Sequence, residues 1–243
     1  ESHEGLAHAA ENYERPVEPA KAWKEMIHRY FASTLGLVIL ILTFMAWRRP
    51  ELGQKALATS LSLLVMLQGA LGMWTVTLLV KPVIVMSHLL GGLATLSLLL
   101  LLLLRINKKR LPENKSKGSV TKLATIALVV LVMQIALGGW TSTNYAALAC
   151  PAFPTCFGDT WNPNVDYKEG FVLWRGLGVD YEFGVLSNEA RAAIHWVHRI
   201  GALITTLVLM VLAAKLFKLR ALKETLLLTS LLSTQVVLGI LNV

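Results

Sequence analysis

The sequence predicts an all-α integral membrane protein built from tandem four-helix-bundle repeats. Three observations lead there. Of the 243 residues, 55% are hydrophobic and the mean hydropathy is +0.57, too apolar for a soluble domain. Six stretches, at about 27–47, 56–80, 83–104, 121–143, 191–214 and 224–243, reach the ~20 apolar residues that cross a bilayer. A Gln signature with Leu-Gly at its fourth and fifth places recurs at Gln68–Gly72, Gln134–Gly138 and Gln235–Gly239, an internal repeat.

Taken in order, segment 1–26 is polar and acidic, carries Pro16 and Pro19, and reads as an external loop. His3 and His8 there read as solvent-exposed bystanders. The first span follows Glu25-x-x-His28-Arg29, and the third carries His88 near its start. Segment 27–104 forms the N-terminal half of the bundle and 105–122 a basic linker. Segment 123–243 forms the C-terminal half, with a long external loop at 144–190 that is sized to fold over the mouth of the bundle. The fifth span opens on His195-x-x-His198-Arg199. Residue 1 is Glu and the last span stops at Leu241-Asn242-Val243 without a polar flank. The reading is therefore of an internal piece of a longer protein, with eight spans and a fourth histidine expected in the whole.

Charge sets the expected orientation. Segments 48–55, 105–122 and 215–224 hold 14 of the 23 Lys and Arg but only three acidic residues (Glu51, Glu113 and Glu224), leaving nine basic and twelve acidic residues elsewhere. By the positive-inside rule these loops are cytoplasmic. The histidine ends and the loop 144–190 then lie on the non-cytoplasmic side of a plasma (inner) membrane. The net charge of +8 is a topology signal, and nucleic acid is not an expected partner. Cys150 and Cys156 lie in the external loop, in Cys150-Pro151-Ala152-Phe153-Pro154-Thr155-Cys156. A disulfide is expected, because two prolines hold the short loop bent in an oxidising compartment; free thiols or a redox pair are the alternative.

His28, His88 and His198 each sit near the same end of an apolar helix. A single intramembrane histidine is commonly a packed, hydrogen-bonded group. Three at one depth, in a repeat that predicts a fourth, point to axial ligands of haem iron. Gly36, Gly91, Gly92 and Gly201 follow the histidines and suit either close helix packing or a porphyrin. Arg29 and Arg199 suit haem propionates or interfacial snorkelling. Glu25 shares a helix face with His28, whereas the second copy has His195 in its place. It is either a reacting carboxylate or an interfacial Glu that favours the helix dipole.

Together, Glu25-Met26-Ile27-His28-Arg29, Met86-Ser87-His88-Leu89, Leu137-Gly138-Gly139-Trp140, the Cys150-to-Cys156 loop and Ile194-His195-Trp196-Val197-His198-Arg199 resemble haem A synthases of the bacterial type over essentially the whole chain. The resemblance implies eight helices in two halves and oxidation of a haem O methyl group to the formyl group of haem A by successive hydroxylations. It implies that His28 and His88 bracket the substrate haem O, that Glu25 is the catalytic carboxylate and that His198 is one axial ligand of a haem b cofactor. Cys150 and Cys156 match the family's external cysteine pair, and His195 has no matching carboxylate role. The chain departs from the family pattern in lacking the first and last helices, including the second haem b ligand. Membrane lipid, a neighbouring haem O synthase, an electron acceptor and self-association are compatible partners. A non-enzymatic di-haem cytochrome b for electron transfer is the competing reading, and a His/Glu proton-relay transporter a third. An electron carrier needs neither Glu25 nor the long external loop.

Overall fold

The computed structural model describes residues 18–107, 118–158, 161 and 163–241. His3, His8 and most of the basic linker lie outside them. Six long helices follow one another: α1 (Pro19–Arg48), α2 (Lys55–Thr77), α3 (Pro82–Ile106), α4 (Gly118–Thr143), α6 (Asn188–Lys218) and α7 (Leu222–Leu241), with the single-turn α5 (Tyr167–Gly170) in the loop before α6. All six are long and apolar enough to cross a membrane, and no strand occurs among the described residues. The protein is an all-α, multi-pass membrane protein.

The largest boundary difference from the sequence reading is at α1; α4 and α6 each begin three residues earlier than expected, at Gly118 and Asn188. α1 begins at Pro19, so residues 19–26, expected as loop, are helical. Pro19 sits in the first turn, where its missing N–H costs nothing and its fixed φ suits a helix; the main-chain N–H groups of Lys21 and Ala22 donate to the Glu18 carbonyl. His28 and His198 thus lie more than two turns inside their helices. α2 stops at Thr77 because Leu79 and Val80 take positive φ (54° and 57°). There the Val80 N–H donates to Thr75 O, and Pro82 then starts α3 in the first-turn position that proline favours.

Two packing zones hold the helices. At one end Ile39, Leu61 and Leu102 join α1, α2 and α3. There Thr43 Oγ1 lies 2.7 Å from Ser62 Oγ and donates to Ala58 O at 2.9 Å, polar contacts of the kind that hold helices together in a bilayer. At the other end Trp140, Ala146, Leu186, Ala190 and Ile194 pack α4, α6 and the external loop. Large apolar side chains such as Phe31, Leu63, Leu96 and Leu226 face outward, as lipid-facing positions do.

The loop between α4 and α6 is stitched across the helix ends. Glu182 pairs with Lys21 of α1. The Tyr181 N–H donates to Leu79 O at 3.2 Å. Lys81, only 1% exposed, donates to Gly176 O and lies 3.5 Å over the Trp174 ring. Trp140 Nε1 donates to Gly170 O at 2.9 Å. α5 lies so close to α6 that a Cβ on Gly170 would stand 2.7 Å from the Ala190 carbonyl oxygen.

Candidate functional site

The three intramembrane histidines fall in one layer, near the loop-covered end. His28 from α1 and His88 from α3 face each other with ring centroids 6.3 Å apart and planes at 84°. An imidazole–metal–imidazole line, with metal–nitrogen bonds of about 2 Å and about 1 Å more to each ring centre, spans about 6 Å. The centroid separation of the pair therefore matches that span. His88 Nδ1 is buried without a hydrogen-bond partner, a further sign of a ring placed for something other than packing.

Glycines make room for these rings. A Cβ on Gly72 of α2 would stand 3.3 Å from His88 Cε1, and one on Gly138 of α4 the same 3.3 Å from His198 Cε1. Gly139, the next residue, faces α3, where a Cβ would meet Leu89 Cδ2 at 3.2 Å and Met86 Cγ at 3.4 Å. The Leu-Gly-Gly-Trp run thus divides its labour. Gly138 admits the His198 ring, Gly139 admits the helix that carries His88, and Trp140 anchors the external loop. This places α4 between the two histidine centres.

Glu25 lies one turn before His28 in α1, and its carboxylate accepts from Arg29 Nη2, an i,i+4 ion pair on an exposed face. The matching pair in α6 is His195 and Arg199: Arg199 Nε lies 3.1 Å from His195 Nε2. The two copies thus keep the same local contact with different chemistry, a carboxylate in one and an imidazole in the other.

Cys150 and Cys156 form the expected disulfide, and both are buried. The loop that it closes wraps around Arg199. Arg199 Nη1 donates to Ala152 O and to Thr155 O (2.6 Å), and Nη2 to Cys150 O at 2.9 Å. The Cys150 N–H lies 3.2 Å from His195 Nδ1. Arg199, read from sequence as a propionate partner or a snorkelling side chain, directs Nε, Nη1 and Nη2 at His195 and the disulfide loop. His195, whose role the sequence left open, is 3% exposed and is bracketed by Arg199 and Cys150, so it lines the loop's seat. The sequence signal for this clamp was only the spacing that His195-x-x-His198-Arg199 shares with Glu25-x-x-His28-Arg29.

Sequence reasoning missed the neighbours of the repeated glutamines. Gln134 Nε2 lies 3.1 Å from His198 Nδ1 and donates to His198 O at 3.1 Å. The carboxamides of Gln68 and Gln134 occupy the space that a Cβ on Gly91 or Gly201 would need. Each of these glycines lies three residues after its histidine. The repeat was visible; that each glutamine reaches the histidine-bearing helix that follows it was not.

The COX15-CtaA family of cytochrome oxidase assembly proteins matches residues 2–243. A protein named Heme A synthase from Shewanella oneidensis is 48% identical over 241 residues, which is 98% of this chain and 72% of that protein. Another so named, from Novosphingobium aromaticivorans, is 30% identical over 234 residues, covering 90% of this chain and 63% of that protein. A third, from Shouchella clausii, is 27% identical over 157 residues, covering 60% of this chain and 50% of that protein.

Proposed function

The chain belongs to the haem A synthase family of cytochrome oxidase assembly proteins, and from that premise we propose that it oxidises a methyl group of haem O to the formyl group of haem A, for assembly of a terminal oxidase. The observation that carries the reading is the His28–His88 pair at 6.3 Å, with the Glu25 carboxylate one turn away on α1. In this reading the two imidazoles hold the substrate haem between α1 and α3. Glu25 takes up a proton or stabilises positive charge as the methyl carbon is successively hydroxylated, and Arg29 orients that carboxylate. His198 is a ligand of haem b, which supplies electron transfer when bound. Haem O is lipophilic and enters from the bilayer, so a haem O synthase alongside, an electron acceptor and self-association fit the scheme. The Lys and Arg bias supports an orientation with the histidine layer and the disulfide loop on the non-cytoplasmic side of the plasma membrane.

A di-haem electron-transfer cytochrome b uses the same histidines, and the Glu25–Arg29 ion pair favours it in one respect, because it gives Glu25 a structural partner. Glu25→Gln separates the two. The enzyme reading expects haem to stay bound while haem A formation stops. A variant that still makes haem A at the wild-type rate removes Glu25 from the chemistry.

A further inference from the structure

The loop between α4 and α6 has two parts of different chemistry. Residues 166–182 carry Asp166, Lys168, Glu169, Arg175, Asp180 and Glu182, and meet the helix ends at Lys21, Leu79 and Lys81. Residues 144–158 carry no Asp, Glu, Lys or Arg. Yet Leu148, Phe153 and Phe157 in that part, and Trp161 just beyond it, are 74%, 61%, 42% and 65% exposed. A cluster of open apolar side chains with no charge among them marks a contact surface.

α6 shows what that surface continues. Ile200, Leu203, Leu207 and Met210 are exposed and, at steps of three and four, form one outward stripe. At about 3.6 residues per turn, His198 points to the opposite side of the helix. Trp196 and Ala192 extend the stripe by one and two turns toward the loop, but they are 7% and 0% exposed. The disulfide loop covers them. Ala149, Cys150 and Cys156 pack with both, Cys150 Sγ lies 3.7 Å from Ala192 O, and the Trp161 and Trp196 ring centroids are 6.3 Å apart. This part of the loop therefore lies along the outer, lipid-facing side of α6 and not over the mouth of the bundle.

Its depth follows from the same helix. Arg199 comes 11 positions after Asn188, the first residue of α6, about 16 Å along the axis. Its guanidinium lies 5.8 Å from the centre of the Phe153 ring and donates to the carbonyls of Cys150, Ala152 and Thr155. Residues 150–155 thus sit level with the lipid-facing Ile200. Irregular backbone at that level has to find its hydrogen bonds inside the protein. Pro151 and Pro154 bring no N–H. The Ala152 N–H donates to Cys156 O at 3.2 Å, the Cys150 N–H to His195 Nδ1 at 3.2 Å, and Arg199 serves three carbonyls. In water those carbonyls would be solvated, and a fork of donors among them would gain little.

We propose that the disulfide loop is seated in the membrane leaflet on the histidine side, at the boundary of headgroups and acyl chains. Phe153 and Trp161 touch phospholipid there, as interfacial aromatics do, and Arg199 supplies the donors that let an irregular backbone occupy that level. This seat depends on the multi-pass fold and is independent of the haem chemistry.

The test uses the whole protein in vesicles of phosphatidylcholine and phosphatidylglycerol. The photo-crosslinker p-benzoylphenylalanine replaces Phe153, Trp161 or, as the aqueous control, Lys168, and the adducts are identified by mass spectrometry. Phospholipid adducts at Phe153 and Trp161, with Lys168 free of them, are the expected result. If the substituted chains fail to fold, wild type and Trp161→Phe in vesicles of brominated phospholipid decide the matter. The emission that Trp161→Phe removes is expected to be quenched by bromine. Emission of Trp161 that bromine leaves unchanged, adducts to a second copy of the chain in place of lipid, or no lipid adduct at Phe153 overturns the proposal.

Discussion

Replacing Arg199 should release the disulfide loop while leaving the disulfide formed. Arg199 donates to three carbonyls of the loop, those of Cys150, Ala152 and Thr155, and contacts the His195 ring that seats it. Hydrogen bonds from a charged group to carbonyls contribute more than neutral ones, but this side chain is partly reached by water, so about 1 kcal/mol for each of the three is a fair net value. Arg199→Leu then weakens loop docking by about 3 kcal/mol, a shift of about two decades in the equilibrium between closed and locally open loop. Cys150 and Cys156 are 1% and 0% exposed, so a bulky water-soluble phosphine reaches them only when the loop opens. The assay is the rate of disulfide reduction at fixed reductant, followed by thiol labelling and mass spectrometry. A rate roughly 100-fold faster is expected for Arg199→Leu. Arg199→Lys should fall between, because one ammonium cannot reproduce the planar fork. Reduction of Arg199→Leu at the wild-type rate would refute the clamp and return Arg199 to the role of propionate partner.

Two other outcomes follow from the contacts. Gly138→Ala places a methyl 3.3 Å from His198 Cε1, so haem retained through His198 should drop severalfold, whereas Gly69→Ala, with nothing within 4 Å, should keep haem and gain up to about 1 kcal/mol in helix stability; equal haem content in both would show that the approach is not tight. Trp140→Phe removes the Nε1 bond to Gly170 O at a cost of about 1 kcal/mol, and should speed limited proteolysis between α5 and α6 without altering the haem spectrum; an unchanged cleavage rate would mean that the loop is held elsewhere.

How far the sequence carried depended on whether the partners of a residue were local. The six spans stand where apolar runs placed them, because length and hydropathy decide crossing. The start of α1 was missed since Lys21, Lys24 and Glu25 are polar, and hydropathy is blind to a helix that continues past the apolar run. Pro19 was the available signal. The disulfide was legible from two cysteines and two prolines within one short segment. The clamp was not, since Arg199 finds its carbonyls 44 to 49 positions back along the chain. Gln134 and His198 lie 64 positions apart, and a repeat announces that a glutamine matters without saying what it faces. Helix periodicity put Glu25 on the face of His28; its bond to Arg29 needed the side chains themselves.

The most direct test of the account is to express the whole protein in cells supplied with haem O, extract the haems and identify them by chromatography and mass spectrometry. The account predicts haem A, or its hydroxylated intermediate, in wild-type cells, and loss of both when His28 or His88 is replaced by Ala. Haem b together with unchanged haem O would contradict it and identify the His28–His88 pair as part of an electron-transfer cytochrome.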